Sequence, residues 1–100
     1  MAESTRAEIE RALRTVDILR EIAQERARQR EKFAAQEAGL SREELLAILT
    51  EQFLEAARAV NDHEPWERLR EELIQVAACA VKFVGLRDRA EGLHLTEVGS

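Results

Sequence analysis

The chain has 100 residues, which bounds it to one domain with a thin core. Hydrophobic residues make up 45% of it, many of them Ala, against one Pro, four Gly and no Tyr, so the composition favours helix over sheet. A formal net charge of -5 argues against a nucleic-acid binder, which needs a basic face, and the lone Cys79 rules out an internal disulfide and reads as cytoplasmic.

The N-terminus has no signal-peptide pattern, and no stretch approaches the roughly 20 apolar residues of a membrane span. The first helix is expected over residues 4–36. Thr5 with Glu8 fits a capping box, with Ser4 as the adjacent alternative. Ile9, Leu13, Val16, Leu19 and Ile22 then recur every three or four residues, the mark of one apolar helix face. From Gln24 to Lys32 the segment stays helix-favouring but turns polar. It reads either as a solvated face or as a basic wall beside an anion, with Arg26, Arg30 and Lys32 as donors. Phe33 restores an apolar anchor, and Gly39 reads as the residue past the helix end.

Ser41 with Glu44 is a second capping box and opens a helix expected over residues 41–61. Leu45, Ile48, Leu49, Phe53, Ala56 and Val60 form its core stripe. Pro65 suits the first position of a third helix, expected over residues 65–90. That helix is apolar nearly all round from Leu73 to Val84, apart from Gln75 and Lys82. One small chain can hardly cover such a helix, so a homo-oligomer is expected, most simply a two-fold dimer. Gly92 ends the helix and leaves a tail over residues 92–100. The fold class expected is all-α: a long N-terminal helix and an antiparallel helical hairpin, with the bundle completed by oligomerisation.

In such a hairpin, residues equally far from the turn at His63 and Glu64 share a height. Glu55 then meets Glu72, Gln52 meets Gln75, Ile48 meets Cys79, and Leu45 meets Lys82. Two facing carboxylates repel, and they either raise each other's pKa or recruit a cation. Hard oxygen ligands suit magnesium, with substrate phosphates completing the shell. Glu51 and Glu71 sit one residue off the stripe. The plain alternative is that these glutamates are solvated and paired with Arg58, Arg68 and Arg70.

At Glu51-Gln52-Phe53-Leu54-Glu55 and Glu72-Leu73-Ile74-Gln75 the chain resembles the MazG-like all-α nucleoside triphosphate pyrophosphohydrolases. The likeness runs from about Ile22 to Arg89 and includes Glu25-Arg26-Ala27-Arg28-Gln29-Arg30-Glu31-Lys32-Phe33-Ala34 ahead of the hairpin. The resemblance implies magnesium-dependent hydrolysis of a nucleoside triphosphate to the monophosphate and pyrophosphate. It implies Glu51, Glu55 and Glu72 as metal ligands, Gln75 as an orienting group, and Lys32 and Gln52 beside the nucleotide. Trp66 lies outside the motif and either stacks on a base or packs.

The departures from that pattern are specific. Gln52 and Gln75 stand where the family carries acids, and each change removes a charge from a hard-cation site. Leu54 adds bulk, and Lys82 adds positive charge. Such changes fit a metal site emptied by natural decay or by deliberate redesign. They leave two further readings open. Lys82 could serve as an amine nucleophile with Glu55 or Glu72 as acid or base, or the chain could be a non-catalytic helical oligomer. Cys79 is a weaker nucleophile candidate, and His63 lies in the turn. The Ser-His-Asp set, the glycine-rich phosphate loop and the HExxH zinc motif are absent from the sequence.

Overall fold

A computed structural model describes residues 2–37 and 39–93, with side chains for residues 5–31 and 39–93. Three helices account for nearly all of it: α1 (Ala2–Glu37), α2 (Arg42–Asn61) and α3 (Trp66–Ala90). Among the described residues there is no strand, and no helix is long and apolar enough to cross a membrane.

The helix ends follow local chemistry. Ser41 caps α2 in both directions: its Oγ accepts from the Glu44 N–H at 3.1 Å, and its own N–H donates to Glu44 Oε1 at 2.9 Å. After α2 the chain reverses through a six-to-one pattern. The Glu64 N–H donates to Ala59 O at 2.9 Å and the His63 N–H to Val60 O at 3.1 Å. His63 sits at φ 52°, in the left-handed region that this closure requires and that glycine usually fills. The same arrangement ends α3, where Leu93 donates to Asp88 O, Gly92 donates to Arg89 O, and Gly92 takes φ 77°. Pro65 is the residue before α3, in extended conformation, one position earlier than its sequence placement suggested. The N-terminal expectation shifts further. α1 reaches back to Ala2, so Thr5 and Glu8 lie within the helix and do not cap it.

α3 lies between the other two helices and touches both. No Cα of α1 comes within 8 Å of one in α2 among the described residues. The start of α2 is tied to the end of α3: Arg42 bonds to Glu91, and Arg87 donates both to Glu91 and to Leu40 O. α1 is tied to α3 by a two-pronged pair, with Arg70 donating to Glu21 at 2.8 and 2.5 Å.

The core this yields is small. Leu45, Ala56, Ala59, Ala78 and Cys79 are its buried apolar residues, and only Leu45 is large. Phe53 and Val60, expected in the α2 core stripe, are instead 62% and 55% exposed. Among the described residues α1 and α2 each pack on α3 and not on each other, so the outer faces of α2 and α3 stay open. Leu73, Val81 and Val84 are exposed for the same reason.

Candidate functional site

Glu72 is the polar group that the fold buries most deeply. It is 2% exposed on α3, and one turn earlier Arg68 places Nη2 at 2.9 Å from its Oε1. The other oxygen, Oε2, is buried without a hydrogen-bond partner among the described residues. Burial raises the Glu72 pKa above the usual carboxylate value. The Arg68 charge opposes that shift, while the nearby carboxylates of Glu55 and Glu71 add to it. Glu55 stands on α2, so the expected meeting of Glu55 and Glu72 across the two helices is present. Two ionised carboxylates can only accept hydrogen bonds. A proton shared between them, or a cation, satisfies both oxygens.

Glu55 opens this junction to water. It lines a groove of about 330 Å³ with Arg58, Ala59, Asp62, Glu64 and Arg68. It also lines a smaller groove of about 250 Å³ with Glu51, Leu54 and Arg58. Glu51 is exposed there. Gln52 is half-buried, and its Oε1 is buried without a hydrogen-bond partner.

Gln75, expected opposite Gln52, is also offered to α1. Gln75 lines a groove of about 320 Å³ against α1, with Glu21, Glu25, Arg28, Arg70, Glu71 and Ile74. The reason is the central place of α3. Its side chains are shared between two neighbours, so a stripe that sequence assigns to one hairpin is divided. Glu72 works with α2, while Glu71 and Gln75 line the α1 side. In that groove the Arg28 guanidinium holds the Glu25 carboxyl below its usual range, and Arg70 does the same for Glu21.

The remaining candidates lie apart. Lys82 is half-buried on α3, ten residues past Glu72, about 15 Å along the helix axis. That separation removes Glu72 as its acid–base partner. Trp66 is 60% exposed at the start of α3. Lys32 falls where side chains lie outside the described residues. Arg26, read in sequence as part of a solvated or anion-facing stretch, is 7% exposed and engaged in an interaction of its own. Nothing in its polar neighbourhood signals that burial. Arg58 and Arg68, which sequence offered only as surface partners, prove to be the cations beside the two carboxylates.

Among the described residues no cluster of three or more His, Cys, Asp or Glu side chains is arranged to hold a metal ion. The donor set at the junction is therefore two carboxylates, with one Glu72 oxygen already taken by Arg68. Two carboxylate ligands are compatible with magnesium, which keeps several waters and takes phosphate oxygens from its substrate. No family model matches the chain, and neither a curated protein nor a solved structure matches it.

Proposed function

We propose that the chain is a MazG-like pyrophosphohydrolase scaffold. In this reading α2 and α3 form an antiparallel hairpin, the assembled form is a homo-oligomer in the cytoplasm, and the site is reduced to the Glu55–Glu72 junction. The observation that carries it is the buried Oε2 of Glu72 beside Glu55, which Arg68 leaves without a partner and which a cation or a proton would satisfy. Glu55 and Glu72 would hold magnesium, with Glu51 at the rim. When bound, the metal neutralises triphosphate charge and favours in-line attack by water. Arg58 and Arg68 line the same groove as Glu55 and supply the positive charge that phosphate oxygens need. With glutamine at position 52 and Gln75 lining the α1 groove instead, the site is weaker than one with four or five acids.

The test is pyrophosphate release from nucleoside triphosphates with magnesium, in the parent chain and in Glu55→Gln and Glu72→Gln. Release that both substitutions abolish supports the reading. No release together with no magnesium binding removes it.

A second reading, a non-catalytic helical oligomer with a vestigial site, is favoured by the thin core and the exposed apolar faces. It expects Glu55→Ala/Glu72→Ala to keep or raise stability, because carboxylate repulsion is relieved.

A further inference from the structure

We propose that the projecting half of α1 from one copy of this chain docks in the apolar groove between α2 and α3 of a second copy. The exchange is reciprocal and makes a two-fold dimer. This deepens the assembly part of the reading above.

The first observation is the arm itself. Every residue from Glu8 to Arg20 is exposed, including Ile9 at 55%, Leu13 at 59% and Leu19 at 58%. These residues recur on one helix face, which is the pattern of a stripe meant to be covered. A helix of that length in water is marginal without packing.

The second observation is the groove. Leu46, Leu49, Thr50, Phe53, Val76 and Ala80 line an almost wholly apolar trough of about 370 Å³. Phe53 and Leu46 are 62% and 56% exposed at its rim. Within one chain the arm does not reach it: among the described residues no Cα of α1 lies within 8 Å of one in α2.

The third observation is area. The chain exposes 7813 Å² and has a radius of gyration of 16.6 Å. A compact monomer of 11.4 kDa exposes about 5,800 Å², with a radius near 13 Å. The excess, about 2,000 Å² per chain or about 4,000 Å² for a two-fold pair, falls in the range that obligate homodimers bury. A ridge and a trough on the same chain, both uncovered, are best matched by a second copy. Reciprocal exchange closes the assembly and covers both surfaces at once. Pairing arm with arm, or trough with trough, leaves one of them bare.

Sedimentation of the full chain should give twice 11.4 kDa at micromolar concentration. Leu13→Glu and Phe53→Glu should each weaken the dimer about a hundredfold or more, since each places a charge in both contacts. Mixing the two variants should restore association, because one arm and one trough in the mixed pair remain intact.

A second measurement does not depend on those variants folding. One cysteine at Leu13 or Val16 and one at Leu49 or Phe53 should form an intermolecular disulfide on oxidation. An intramolecular bond is ruled out because the two Cα atoms are over 8 Å apart. A single-chain mass at all concentrations, no rescue on mixing, or no cross-link above the level of Cys79 alone would each overturn the proposal. None of these readouts involves metal or nucleotide. An inactive chain that cross-links retains the dimer, and an active monomer loses only the dimer.

Discussion

Arg68 and Glu72 form an ion pair whose two halves sit in different surroundings. The Arg68 side chain is 54% exposed, while that of Glu72 is 3% exposed, with 2.9 Å between Nη2 and Oε1. One charge keeps its water and the other has lost it. Desolvation therefore outweighs the attraction, and the Glu72 pKa moves up.

The first prediction concerns that carboxyl. A folded pKa above the unfolded value stabilises the fold fully below the unfolded pKa, and the contribution is lost as pH rises through the folded pKa. Glu72→Gln removes the titration. Its stability relative to the parent should therefore rise with pH above about 4.5, the ordinary glutamate value. Denaturant unfolding across a pH series checks this. Arg68→Ala should cost about 1 kcal/mol at neutral pH, less than in a fully buried pair because the guanidinium is half in water. It should also steepen the same pH dependence.

The opposite sign holds for the carboxylates that tie the helices together. Glu21 is lowered by Arg70, and Glu91 by Arg42 and Arg87. Their contribution is complete above the ordinary value of 4.5 and is lost as pH falls through the lowered folded values. Acid unfolding monitored by circular dichroism should show this limb, and Arg70→Gln should flatten it. An unchanged acid limb in Arg70→Gln would mean that the Glu21 tie carries no weight.

His63 holds a left-handed conformation without being glycine. Replacing it by glycine removes a steric cost of about 1 kcal/mol and adds some unfolded-state entropy. His63→Gly should gain about 0.5 kcal/mol, or a few degrees in Tm. His63→Val, β-branched at the same φ, should lose stability.

Gly85 interrupts the exposed side of α3, and a Cβ built there meets nothing within 4 Å. Gly85→Ala should stabilise the helix by about 0.5–1 kcal/mol through propensity alone. Thermal unfolding measures the gain. Because Gly85 lies outside the proposed arm contact, the sedimenting mass should stay the same.

Most of the helix boundaries were legible because they depend on a few neighbouring residues. Ser41 and Glu44 close a reciprocal cap, and Gly92 supplies the positive φ that ends α3. The turn at His63 places Glu55 near Glu72, as counting outward from it suggests. The start of α1 was less legible, since Ser4 and Thr5 resemble caps that the helix runs past.

Burial was not legible to the same degree. Glu71 and Glu72 are adjacent and chemically identical, yet one is exposed and the other 2% exposed. Arg26 is buried within a run of polar residues, and Gln75 lines the α1 side of α3. Periodicity along a chain marks which residues share a helix face. It carries no information on how many neighbours divide that face or at what rotation they meet it. Those depend on long-range packing between helices distant in sequence, here on α3 packing against α1 as well as α2. Local composition therefore determined the three rods and most of their ends. The buried carboxylate, its half-solvated arginine and the divided face arose only when the rods met.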